Sequence, residues 1–240
     1  MVYQPNLPII SEFRLFRRRR KGFSPVLLIF GILGILMSCG VTMCAVPASF
    51  MEGREVAGLE QPSGDELDKL PPGTRALFAA QLSPEAAAGE QGLVLFYVEE
   101  RPLKQTTDVD GNPTETVGDS WNRVTEPAGK MEMRADNGRL LTIQIPPGTT
   151  FMEAQRYDEG DPGKETRRTT GYLPGQAVTV DGTWQGNGII TATKLFGGNP
   201  EGYVTAVRAA PGQMLIFGLI CGGLSVLLLG AGVVLRFLGR

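Results

Sequence analysis

Two stretches of this chain run for 22 residues each without a single charge, Pro25 to Val46 and Met214 to Leu235. A helix rises about 1.5 Å per residue, so each stretch would be roughly 33 Å long, against a hydrocarbon core of about 30 Å. In lipid every backbone amide must find its partner within the segment, which leaves helix as the conformation open to an isolated apolar stretch. The sequence therefore predicts two transmembrane helices, and everything else about the chain has to be read around them.

The flanking charges orient the helices. Arg14, Arg17, Arg18, Arg19, Arg20 and Lys21 precede the first span, and Arg236 and Arg240 follow the second. Positive residues beside a span stay in the cytoplasm, so a multi-pass protein of the cell membrane is expected, with both termini cytoplasmic and the central segment outside. Next to a span, the run Arg17, Arg18, Arg19, Arg20, Lys21 reads as a topology signal before it reads as a nucleic-acid or phosphoinositide patch. The segment from Pro47 to Gln213 holds 15 Lys and Arg against 24 Asp and Glu, a net charge of −9. Such a segment repels nucleic acid and anionic headgroups, so no nucleic-acid partner is expected. Membrane lipid and other membrane subunits are the expected partners.

A cleaved signal sequence is the alternative for the first span. Val46, Pro47 and Ala48 offer small residues, and Leu36, Met37, Ser38, Cys39 is similar to a lipoprotein cleavage box. The long basic n-region and an apolar stretch well beyond the 7 to 15 residues of a signal core favour a retained anchor. Cys39, Cys44 and Cys221 all lie in the spans and the chain has no histidine. The outer segment thus has no Cys or His for a disulfide framework or a zinc site. The three cysteines read as small apolar packers, and no cofactor is expected.

Between the spans, residues 47–72 form a linker rich in Gly, Pro and acids, in which Ser63, Asp65 and Glu66 can cap a short helix over Asp65–Leu70 stopped by Pro71 and Pro72. The remaining divisions are a basic tail at 1–24, the first helix at 25–46, a β domain at 73–208, a connector with the second helix at 209–235, and a tail at 236–240. Strands are expected over Thr74–Leu82, Gly92–Arg101, Trp121–Thr125, Lys130–Arg134 and Arg139–Ile145, with a polar excursion at Pro102–Ser120. In Arg139–Ile145 a period of two puts Leu141, Ile143 and Ile145 on one buried face. Ala177–Trp184 and Ile189–Phe196 form a hairpin around Asn187-Gly188, whose residues accept the positive φ of a tight turn. Glu201–Val207 reads as a last strand. The class is a mainly β membrane protein, two transmembrane helices flanking an extracytoplasmic OB-like antiparallel β barrel.

Sites of chemistry are thin in this sequence. Asp108, Asp110, Asn112 and Asp119 space oxygen ligands as a calcium loop would, but the sixth position, which needs glycine, is Pro113, and an acidic hairpin tip is the plainer reading. Asp158 to Lys164 lacks the spacing of a phosphate loop. No serine sits in a Gly-x-Ser-x-Gly elbow. The carboxylate pairs Glu99/Glu100 and Asp158/Asp161 read as surface charge, and Trp121 and Trp184 as core or membrane-interface residues. In the spans, Gly31, Gly34 and Ser38 thin one side of the first helix, and Gly218, Gly222 and Ser225 one side of the second. Small residues let helix backbones approach closely, whether the spans pack on each other or on a partner.

The arrangement of helix, outer β domain and helix resembles the membrane-adjacent domain of GIDE-type proteins. The likeness rests on the Leu/Val/Tyr-rich strand of Gly92–Arg101 and on Tyr172, Leu173, Pro174, Gly175, Gln176, Ala177, Val178, Thr179, Val180, Asp181, Gly182. It implies a domain lying on the membrane as a recognition platform. Ubiquitin-ligase members carry a zinc-binding RING after the second helix, and this His-free chain lacks its ligands, so ligase activity does not carry over. The final hairpin is also similar to the OB barrel of periplasmic haem chaperones, whose haem-attaching histidine has no counterpart here. The expectation is a non-enzymatic bacterial protein whose β domain mediates protein interaction or assembly. A carboxylate-based membrane hydrolase and a calcium or small-ligand sensor stand as alternatives.

Overall fold

A computed structural model describes residues 12–107, 111–161 and 164–238. The chain divides into two compact units, a helical one up to Val56 and from Ala206 onward, and a β-rich one from Ala57 to Thr205.

In the helical unit, α1 (Glu12–Gly40) passes through a π-helical turn at Val41–Ala45 into α2 (Val46–Ala57), and α3 (Pro200–Leu238) returns. Both assemblies are long and apolar enough to cross a membrane. The stretch read as the start of a linker is therefore helical as far as Ala57. Contacts along the pair run in opposite chain directions, Leu28 beside Gly232, Gly34 beside Ser225, Ser38 beside Gly222 and Gly53 beside Arg208, so the two helices are antiparallel. Gly34, Ser38 and Thr42 meet α3 at steps of four residues. On a 3.6-residue helix each such step drifts by about 40°. The π turn takes up the drift, because it holds more residues per turn than an α-helix. Outside the seam the surface is apolar and open, with Leu36, Met37, Phe217 and Leu227 all exposed, and only 6% and 11% of the two apolar windows is buried.

The β unit is built on a closed five-stranded barrel of β1 (Arg75–Leu82), β6 (Lys130–Ala135), β7 (Leu140–Gln144), β11 (Ala177–Gly186) and β12 (Ile189–Gly197). The order around it is β1-β6-β7-β12-β11 and back to β1. The expectation of an all-antiparallel barrel is corrected here, since β7 and β12 pair in parallel and β8 (Thr150–Met152) joins β12 in parallel too. Leu141, Ile143 and Ile145 are buried as their alternation predicts, and Phe78, Met133, Val180, Leu195 and Trp184 complete the core beside them. The β11–β12 hairpin turns at Asn187 (φ 54°) and Gly188 (φ 78°), the pair of positive φ values that a type I′ turn requires.

The barrel connections carry more structure than the sequence patterns show. Between β1 and β6 the chain forms β2 (Leu95–Glu100), β3 (Leu103–Thr107), β4 (Pro113–Val117) and β5 (Asn122–Thr125). Between β8 and β11 it forms β9 (Gln155–Glu159) and β10 (Arg167–Tyr172). These strands make a second sheet, β5-β2-β10-β9, and a separate β3–β4 hairpin. The polar excursion at Pro102–Ser120 is thus a hairpin, hidden because β3 and β4 have no buried face and so no apolar alternation.

Glu201–Val207, read as a strand, is the start of α3. Asn199 caps it, its Oδ1 accepting from the Gly202 N–H at 2.8 Å. The buried Tyr203 and Val207 stand four residues apart, a helical and not an extended spacing. The short helix expected at Asp65–Leu70 is one 3₁₀ turn, Leu67–Lys69, preceded by Ser63, whose hydroxyl donates to Glu66 at 2.9 Å.

Candidate functional site

One face of the second sheet gathers an arginine and aromatic cluster from four strands. On β2, Tyr97 and Glu99 share a face by the period of two, and Arg101, one residue past the strand, follows them. Register places Arg168 of β10 opposite Glu99, Asp158 of β9 opposite Arg168, and Arg123 of β5 opposite Glu99. The Arg101 and Arg168 guanidinium carbons lie 4.4 and 4.1 Å from the centroid of the half-buried Trp121 ring, and that of Arg123 lies 3.9 Å from the Tyr97 centroid. Tyr97 meets Phe151 edge-on at 5.2 Å, and Phe151 stacks on Tyr172 at 5.2 Å. An aromatic chain therefore runs from the barrel core, where Tyr172 is fully buried, out to the arginines.

Carboxylates neutralise most of these cations. Arg168 Nε is 2.9 Å from Glu99 Oε2, Arg156 Nε donates to Asp158 at 2.9 Å, and Arg123 reaches Glu126 at 3.4 Å. On the opposite face Arg167 reaches Glu90 at 2.6 Å, with Glu100 at 4.0 Å. Glu99 and Glu100 thus point to opposite faces, each beside its own arginine. Arg101 differs in having no carboxylate beside it among the described residues, while its Nε, like those of Arg167 and Arg168, is buried without a hydrogen-bond acceptor.

Two buried polar groups tie the β unit together. Asp181, 1% exposed, accepts from Arg75 Nε and Nη2, each at 2.9 Å, and from the buried Tyr203 hydroxyl at 2.8 Å. Tyr172 donates to the Leu195 carbonyl at 2.7 Å and accepts from the Met152 N–H at 3.2 Å. Burial pushes its phenol well above the usual tyrosine range, so it stays a donor throughout the stable pH range. Tyr172→Phe is expected to cost about 1–3 kcal/mol, because a buried carbonyl and amide lose their partner. Urea unfolding of the variant beside the wild type measures this.

At the surface Arg139 donates to both Asp68 oxygens, at 2.8 and 2.9 Å, and these bonds hold the carboxyl below its ordinary value of 3.8. A carboxyl depressed in the folded state adds stability above its unfolded pKa and loses it as pH falls through the folded pKa. That contribution therefore fades below about pH 4. Carboxyl NMR titration should find Asp68 protonating below that pH, and Arg139→Gln should return it toward 3.8.

The residues singled out in the spans lie along one seam. A Cβ built on Gly31 would come within 2.8 Å of Leu229 Cβ, one on Gly34 would overlap Ser225 Oγ, and one on Gly222 would come within 2.8 Å of Ser38 Oγ. Ser38 Oγ donates to the Gly218 carbonyl at 2.6 Å, and Ser225 Oγ to that of Cys221 at 2.7 Å. Cys39 and Cys44 are exposed and Cys221 half-buried, all as free thiols. Arg17 to Lys21 continue α1.

Of the acidic loop, Asp108 and Asp110 lie outside the described residues, while Asn112 and Asp119 are exposed at either end of β4. No group of three or more His, Cys, Asp or Glu is poised for a metal among the described residues. Trp184 is a core residue, 1% exposed, whereas Trp121 is half-buried between arginines. No sequence motif marks this cluster, although the alternation Tyr97, Glu99, Arg101 signals a functionalised strand face. No protein-family model, curated protein or solved structure matches the chain.

Proposed function

We propose that this chain is a non-enzymatic protein of the cell membrane, anchored by two spans, whose β unit stands outside the cytoplasm and mediates protein interaction or assembly as an accessory subunit of a membrane complex. The observation that carries this reading is the second sheet with its hairpin. β5 and β9 each have one neighbour in their sheet, and β3 and β4 are exposed along nearly their whole length. Exposed strand edges are templates on which a partner adds a strand through main-chain hydrogen bonds.

Several features support the membrane side of the reading. The open apolar surface of the helix pair is what lipid covers, its antiparallel course leaves both chain ends on one side, and the flanking arginines mark that side as cytoplasmic. The barrel order, with its one parallel pair among the five strands, is OB-like in connectivity. The resemblance to GIDE-type proteins agrees with a recognition platform.

The test is affinity purification of the tagged protein in mild detergent, with mass spectrometry of whatever co-purifies. A subunit at fixed stoichiometry is expected, and it should be lost when Leu103–Val117 is replaced by a short Gly-Ser turn. A lone monomer, from which no partner can be captured, would overturn the reading.

A further inference from the structure

We infer that Arg101 and Trp121 form a binding site for a single carboxylate on the open face of the second sheet. Arg123, Arg156 and Arg168 on this face each have a carboxylate within 3.4 Å, and Arg101 has none among the described residues. Its Nε is buried with no acceptor, as are those of Arg167 and Arg168. A desolvated guanidinium donor without an acceptor is costly, and stacking on Trp121 at 4.4 Å offsets only part of that cost. With Nε shielded, the terminal Nη donors of Arg101 are the ones that a ligand oxygen would meet.

The geometry suits that ligand. Trp121 holds Arg101 by one ring contact and Arg168 by another, at 4.1 Å, while Glu99 fixes Arg168 from the side at 2.9 Å. The Arg101 side chain is thereby held before a ligand arrives, and a planar fork of N–H donors matches a carboxylate in two places. Preorganisation lowers the entropic cost of binding. One unneutralised cation calls for one negative charge. A phosphate dianion would bring a second charge next to Glu99 and into the field of a segment with net charge −9.

The source of the carboxylate rests on the partner-binding reading above, in which an acidic side chain or a chain terminus of a strand added at β5 would reach Arg101. The site itself is tested without any partner. The probe is N-acetylglycine, a monocarboxylate, with N-acetylglycinamide as its neutral analogue and inorganic phosphate as a dianion. The full-length protein in detergent has two tryptophans, so its two indole N–H signals report the site and the core separately.

N-acetylglycine is expected to shift the Trp121 signal saturably while that of Trp184 stays still, and the amide should shift neither. Arg101→Gln should abolish the response with the Trp184 signal unchanged, which shows that the barrel is intact. Arg101→Lys should weaken it at least several-fold, because a point charge replaces the stacked fork. No shift at about 10 mM probe, roughly ten times a Kd of about 1 mM, would overturn the proposal. So would an equal shift in Arg101→Gln, or a response to phosphate as strong as that to the carboxylate. A failed pull-down leaves these outcomes unaffected, so the two readings fail separately.

Discussion

Asp181→Ala is expected to lower the unfolding free energy of the β unit by about 3 kcal/mol, near the low end of the 3–5 kcal/mol seen when one partner of a buried ion pair is removed. Three donor bonds converge on this carboxylate, two from Arg75 and one from Tyr203, and the side chain is 1% exposed. Deletion removes the buried carboxylate to which both Tyr203 and Arg75 donate. The low end applies because the Arg75 side chain is 32% exposed and can recover water. Tyr203→Phe alone should cost about 1.5–3 kcal/mol, the worth of a hydrogen bond to a charged group. The two losses should not add, since both remove the same bond. Chemical denaturation followed by tryptophan fluorescence, to which Trp121 and Trp184 of the β unit both contribute, measures the two single variants and the double one. A loss below 1 kcal/mol for Asp181→Ala would show the cluster to be replaceable by water.

The second large effect is expected at the helix seam. Gly31→Leu and Gly34→Leu each force a side chain against α3, where even a Cβ meets Leu229 or Ser225. Overpacking of this kind costs about 1–3 kcal/mol per site, and the double variant should lose more than either single one. Across the seam, Gly218→Leu with Gly222→Leu should cost about 1 kcal/mol or more through the lost close approach to Thr42 and Ser38. Gly223 and Gly230 have open space where a Cβ would go, so the same replacement there should be nearly silent. Titration with SDS from mild detergent, read by a distance label between the helix ends, separates the two sets. Equal effects at Gly34 and Gly230 would rule out the seam as the reason for these glycines.

The small residues of the spans serve each other along this seam, which removes them as an argument for a separate helical partner. The case for a partner therefore rests on the β unit, on its open strand edges and on the Arg101 site. Those features stand outside the barrel, in the connections that join β1 to β6 and β8 to β11.

Local periodicity made part of this protein legible in its sequence. The two charge-free stretches, the Leu141, Ile143, Ile145 face and the Asn187-Gly188 turn each depend on residues close together in the chain, so pattern alone determined them. Tertiary structure decided the rest. β7 and β12 pair in parallel across a long connection, and no local pattern encodes which distant strand supplies the neighbour. Glu201–Val207 is helical because Tyr203 is drawn into the cluster around Asp181, a contact 22 residues away in sequence. Arg101, Trp121, Arg123 and Arg168 meet only because β2, β5 and β10 pair, and an arginine's role depends on which carboxylate the fold sets beside it. Periodicity reports which face of an element is buried, whereas a binding site is made of the faces that the fold brings together.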